Sequence, residues 1–121
     1  MEGGIVAMDS LLATKWMPTA VMCSNDMTAI GVLHKLYRAG LNVPDDFSIV
    51  GFDNIRIAQV TIPPLTTVEL SRLDIARAAV TALREQVEFV EEFAKKGGFY
   101  IRTNLVVRES TSFPRKNLNF P

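Results

Sequence analysis

The chain has 121 residues, enough for one domain with a real core. Hydrophobic residues make up 48% and charged residues 21%, and 13 Lys and Arg balance 13 Asp and Glu, so no basic excess is available for nucleic-acid phosphates. The single Cys23 allows no intrachain disulfide, no apolar stretch reaches the roughly 18 residues of a membrane span, and Met1–Ile5 lacks the pattern of a signal peptide, which together predict the cytoplasm.

Residues 5–16 predict a short helix, with Ile5, Met8, Leu11, Leu12 and Trp16 at helical spacing and Pro18 closing it. Ala20-Val21-Met22-Cys23 is an apolar run between turn signals and reads as a buried parallel strand. Ser24-Asn25-Asp26 offers capping side chains to a second helix. That helix carries Ala29, Ile30, Leu33, Leu36 and Tyr37 on one side and stops at Gly40. Phe47–Phe52 is a second buried strand, ending at Asp53-Asn54. Pro63-Pro64 rules out a central strand there, but Thr66–Glu69 can form a short one just after it.

Ser71, with Asp74 three residues on, is a weak capping box for the longest predicted helix, Arg72–Lys96. Its stripe is Leu73, Ala76, Val80, Leu83, Val87, Val90 and Ala94, flanked by Phe89 and Phe93, and Gly97-Gly98 ends it. Phe99–Glu109 alternates, with Phe99, Ile101, Leu105 and Val107 expected inward and Tyr100, Arg102, Asn104 and Arg108 outward. Residues 110–121 read as a polar, proline-punctuated, frayed tail.

The pattern therefore predicts an α/β fold, a parallel sheet with flanking helices. Residues 20–53 form a strand–helix–strand crossover, and in such sheets ligands bind beyond the carboxyl ends of the strands. Asn25 and Asp53 each follow a strand's carboxyl end, so both are expected on one rim. A carboxylate accepts several hydrogen bonds, whereas an amide donates and accepts, which together suit a polyhydroxylated ligand. Asn25 can equally cap the following helix, and for Asp53 the lesser alternative is a turn residue after the strand. Asp26 is expected to cap the helix near the site.

No catalytic or metal centre is expected. His34, the single histidine, has no Cys or carboxylate at metal-ligand spacing. Cys23 reads as buried and inert. No glycine-flanked nucleophile elbow is present, and neither Gly3-Gly4 nor Gly97-Gly98 joins a strand to a helix as a phosphate loop does. No cofactor and no enzymatic activity are predicted.

Six motifs then fall in order: Pro18-Thr19-Ala20-Val21; Ser24-Asn25-Asp26 with Ala29-Ile30-Gly31; Gly40–Asp46; Ser48–Asn54; Pro63–Val68; and Leu105–Ser110. Over residues 5–112 their spacing resembles the C-terminal part of lactose-repressor/galactose-repressor (LacI/GalR) type transcription regulators. The resemblance implies the C-terminal lobe of a periplasmic-binding-protein-like core. A small effector of the sugar or nucleobase class would bind between two lobes, and a dimer would report to a DNA-binding headpiece.

On this reading residues 1–112 are the C-terminal part of an effector-binding and dimerisation core, and 113–121 are a tail. Headpiece, hinge and nearly all of the first lobe lie outside the chain, as in a truncated product or fragment, so contact with DNA would come only through the absent headpiece. By position, Asn25 and Asp53 match the family's effector-contacting residues. Ile30, Leu33, His34 and Tyr37, with Val60, Thr61 and Ile62, match its dimer interface, although Ile30 and Leu33 can equally be core. Glu69-Leu70-Ser71 departs from the Gln-containing step the family often places near the cleft.

The resemblance also implies that helix 72–96 packs on the other lobe. Burying one aliphatic or aromatic side chain is worth roughly 1.5–3 kcal/mol. Seven or eight left in water would forfeit on the order of 10 kcal/mol, as much as a domain's whole stability. A homo-oligomer that packs or exchanges this helix is the expectation, and folding back onto its own lobe is the competing one. A periplasmic solute-binding lobe for sugar transport is the alternative function, and a non-sensing oligomeric relic a third.

Overall fold

The computed structural model describes residues 1–14, 16–88 and 100–115. The chain divides into two compact units, one formed by Met1–Glu69 and the segment from Leu105 onward, the other by Leu70–Asn104. The elements run α1 (Glu2–Leu12), β1 (Ala20–Met22), α2 (Asp26–Arg38), β2 (Ser48–Phe52), a 3-10 turn (Arg56–Gln59), β3 (Thr66–Leu70), α3 (Arg72–Glu88) and β4 (Thr103–Val106). The four strands make a mostly parallel sheet in the order β1-β2-β3-β4. The α/β expectation therefore holds, as do the first three strands and the helices beside them.

Parallel pairing is direct at β1–β2, with Ala20, Val21 and Met22 opposite Ser48, Ile49 and Val50. It continues at β2–β3, with Val50, Gly51 and Phe52 opposite Thr66, Thr67 and Val68. Phe47, Ile49, Leu65, Leu36, Ala29, Val32 and Met8 close the core between helices and sheet. α2 ends in a Schellman-type closure: Leu41 N donates to Leu36 O at 3.0 Å, and Gly40 takes the left-handed turn at φ 73°.

α1 and α2 cross at reciprocal glycines. A Cβ on Gly4 would lie 2.1 Å from Thr28 O, and one on Gly31 would lie 2.1 Å from Met1 O. Only hydrogen side chains let the two backbones meet this closely.

Several expectations shift. α1 begins at Glu2 and stops at Leu12, short of Trp16. Thr14 Oγ1 lies 2.8 Å from the Leu11 carbonyl and accepts from Trp16 N at 3.3 Å, a side-chain alternative to further helix. Trp16 is 70% exposed. β1 is an edge strand rather than a buried one: among the described residues it pairs only with β2, and Ala20 and Met22 face out. On α2, Leu33 is core, whereas Tyr37 is exposed and Ile30 half-buried.

The C-terminal segment departs most. The predicted alternation holds at Tyr100, Ile101, Arg102 and Asn104 but reverses from Leu105 on; Phe99 lies outside the described residues. Leu105 and Val107 are exposed, Val106 and Arg108 are half-buried, and Ser110 is fully buried. Nor are residues 110–115 frayed. Ser110 Oγ donates to Ile49 O (2.6 Å) and accepts from Thr66 N (2.8 Å), while Ile49 N donates to Ser110 O (2.7 Å). Ser48 Oγ accepts from Ser112 N at 3.0 Å, and Arg115 sits over the Phe47 ring, 3.3 Å from Asp46. Polar side chains face inward here because each finds a backbone partner at the strand entrances. The tail beyond residue 115 lies outside the described residues.

In the second unit, Ser71 caps α3 as expected, accepting from Asp74 N at 3.2 Å. The stripe residues Leu73, Val80 and Leu83 are each more than half exposed. Phe89, Val90, Phe93, Ala94 and the predicted helix end at Lys95-Lys96 and Gly97-Gly98 lie outside the described residues.

Candidate functional site

β1 and β2 deliver Asn25 and Asp53 to the same edge of the sheet. Met22 and Val50 are the last pair of the β1–β2 ladder, and each candidate follows its own by three residues. Adjacent strands lie about 4.8 Å apart, so this rim can offer both side chains to one small molecule.

Asn25 is the N-cap of α2: its extended backbone (φ −158°, ψ 168°) lets Oδ1 accept from Thr28 N at 2.8 Å. That bond fixes the amide, and Nδ2 has no partner among the described residues. Capping and ligand contact are thus not alternatives. The oxygen caps and the nitrogen remains as a donor. Asp53 is exposed at φ 106°, and its carboxylate has no hydrogen-bond or ion-pair partner among the described residues. Asn54 follows at φ 49°. Two consecutive non-glycine residues at positive φ cost on the order of 1–3 kcal/mol each, so their surroundings must hold them.

Asp26 is a correction: it does not cap α2. The cap is Asn25, one residue earlier, and the Asp26 carboxylate turns inward and is fully buried. Oδ1 accepts from Thr67 Oγ1 at 2.5 Å and Oδ2 accepts from Ile55 N at 2.8 Å. Gly51 leaves the room, since a Cβ there would lie 2.1 Å from Asp26 Oδ1.

Asn54, Glu69 and Arg108 are residues that sequence reasoning missed. The Asn54 amide donates to Glu69 Oε1 at 2.9 Å and accepts from the Arg108 guanidinium at 2.6 Å, and Arg108 also donates to Leu65 O at 2.6 Å. Asn54 N donates to Thr67 Oγ1 at 3.4 Å. The one local signal nearby points to Asp26 instead: Gly51, a glycine inside a strand, marks that carboxylate's close approach.

The expected interface residues gather elsewhere on the same unit. A groove of about 460 Å³ is lined by Ile30, Leu33, His34, Tyr37, Thr61 and Ile62. Val60 is 73% exposed, Tyr37 83% and Ile62 96%, whereas Leu33 belongs to the core and only floors the groove. Burial pushes the Cys23 thiol up to about 11. Among the described residues no helix is long and apolar enough to cross a membrane, and no cluster of His, Cys, Asp and Glu could hold a metal.

A parallel sheet with polar residues at its carboxyl rim is the architecture of ligand-binding lobes. Residues 2–111 match the family model of the periplasmic binding protein-like domain, and the chain belongs to that family. It is 41% identical over 110 residues to the HTH-type transcriptional repressor CytR of Escherichia coli strain K12, covering 91% of this chain and 32% of CytR. It is 38% identical over 109 residues to the HTH-type transcriptional repressor PurR of Mannheimia succiniciproducens, covering 90% of this chain and 32% of PurR. Among solved structures it resembles the lac repressor dimer bound to operator and the anti-inducer ONPF, with TM-score 0.76 and 30% identity, covering 89% of this chain and 37% of that one. The chain thus spans about a third of the curated relatives it matches, within the effector-binding domain of LacI-family repressors, which are not enzymes.

Proposed function

We propose that this chain is the effector-sensing and dimerisation lobe of a LacI/GalR-type transcription regulator, acting in the cytoplasm. The observation that carries the reading is the pairing of an unspent amide donor on Asn25 with an unpartnered acceptor on Asp53 at one rim. A sugar hydroxyl donates and accepts, and a nucleobase edge places donors beside acceptors, so either class fits such a pair. The similarity to repressors favours a regulator over a solute-binding lobe for transport.

Dimerisation is assigned to the face of Ile30, His34, Tyr37, Val60, Thr61 and Ile62, with Leu33 beneath. Its exposed aliphatic and aromatic side chains suit an isologous contact with a second copy. Residues 1–112 are read as part of the core and 113–121 as a tail, with helix 72–96 belonging to the other lobe. The separation of Leu70–Asn104 as a unit and the exposure of Leu73, Val80 and Leu83 support that assignment. Where the other lobe is absent, exchange of this helix between two copies is the expected way to cover the stripe. DNA contact is assigned to a headpiece outside this chain.

Titration calorimetry at millimolar D-ribose, D-galactose, adenine and adenosine tests the sensing role. Saturable binding by the chain, abolished in Asp53→Ala, is the expected result. Absence of binding to every probe, by both this chain and a longer form carrying both lobes, would falsify it.

A further inference from the structure

Among the described residues, Asp26 is the only charged side chain that is wholly buried. A carboxylate taken out of water must be hydrogen-bonded to be tolerated. Its two oxygens are met by donors from two different segments: the Thr67 hydroxyl on β3 and the Ile55 amide at the start of the 3-10 turn. Its place in the first turn of α2 adds the favourable end of the helix dipole.

Both donors bear on the turn that carries Asp53. Ile55 N is two residues downstream of Asp53, so its bond to Oδ2 pins the exit from the left-handed pair Asp53-Asn54. The Thr67 hydroxyl has one proton, and it goes to Oδ1. The lone pairs of Thr67 are thereby left for Asn54 N, which donates to it. On the entry side, Asp53 N donates to Val68 O at 2.9 Å. Entry, middle and exit of the turn are each tied, and two of the three ties run through Asp26.

We infer that Asp26 is a positioning residue of the candidate site: it holds the Asp53–Asn54 turn in its left-handed form and so aims the Asp53 carboxylate. The inference rests on the reading of Asp53 as a ligand acceptor, which it deepens. A buried charge with no role beyond core satisfaction would raise or lower the stability of the whole unit. A positioning charge acts on one turn and through one side chain.

The experiment uses the full chain with Thr67→Val and Asp26→Asn, and Thr67→Ser as the conservative control that keeps the hydroxyl. Backbone amide exchange is read residue by residue, and adenosine and D-ribose are the binding probes. In Thr67→Val, exchange at Asn54 and Ile55 is expected to quicken roughly tenfold. Cys23 N, which donates to Val50 O in the β1–β2 ladder, should keep its rate. Thr67→Ser should restore slow exchange. Probe affinity should fall roughly tenfold in Thr67→Val or Asp26→Asn, with no further loss when either is combined with Asp53→Asn.

Equal acceleration at Cys23, Asn54 and Ile55 overturns the inference, as does additive loss in the double variant. If Asp26→Asn does not fold, the Thr67 pair decides. If the unmodified chain binds neither probe, the binding arm is read in a longer form carrying both lobes; if that form binds none either, the ligand reading fails by itself, and the exchange arm still decides whether Asp26 holds the turn.

Discussion

Asn25 and Asp53 each stand three residues beyond Met22 and Val50, the last pair of the β1–β2 ladder. One presents an amide whose oxygen is already engaged, the other a carboxylate that no described residue engages. Substitutions can therefore separate the two tasks of Asn25. Asn25→Asp keeps an oxygen for Thr28 N and removes the donor, so stability should hold while probe affinity drops by roughly tenfold. Asn25→Ala should lose both, with the cap worth about 1 kcal/mol. Thermal denaturation beside calorimetry reads the difference.

Asp53→Gly should move stability and binding in opposite directions. Glycine adopts φ 106° without a Cβ clash. The strain relieved, about 1–3 kcal/mol, exceeds the roughly 0.5–1 kcal/mol of added chain entropy that glycine brings. A higher melting temperature with no probe binding is expected. A lower one would show that the turn is not strained.

Gly4→Ala should destabilise the unit by about 1–3 kcal/mol, because its Cβ meets the Thr28 carbonyl, a backbone atom that cannot rotate away. Chemical denaturation would report it. Gly3→Ala is the internal control, since nothing lies within 4 Å of a Cβ there.

Tyr37→Glu or Ile62→Glu should leave the fold intact, as both side chains are exposed at 83% and 96%, yet should shift a dimer toward monomer in analytical ultracentrifugation. Unchanged sedimentation would move the interface off this face.

The Cys23 thiol gives a pH dependence with a definite sign. Its folded value, about 11, lies above the thiol's ordinary value of 9.0 because burial disfavours the thiolate. Below pH 9 the thiol is protonated in both states and its contribution is complete. Between pH 9 and 11 the unfolded thiol ionises while the buried one does not, so stability should fall as pH rises. Cys23→Ala should flatten that slope, and alkylation of Cys23 should track unfolding.

Strands β1 to β3 and both capped helices were legible because apolar runs, caps and proline stops all agree there. The rim position of Asn25 and Asp53 followed from connectivity alone. What was not legible was direction. Asn25 and Asp26 are both good capping residues one position apart, and only the space left by Gly51 decides which turns inward. Likewise, Arg108 reads as outward and Ser110 as the start of a frayed tail, because both are polar. Yet they face in, because the carbonyls of Leu65 and Ile49 await donors there. Partners 43 and 61 residues away leave no mark on local periodicity.

The way Ser110 bridges Ile49 and Thr66 has a consequence for how the protein is made. The backbone groups at the entrances to two central strands stay unmet until a serine 61 residues downstream of Ile49 arrives. On a ribosome, the sheet must therefore wait, half-stitched, through synthesis of the whole second unit. Closure over so long a loop is slow, and the interval is when a nascent chain most needs protection from pairing with its neighbours.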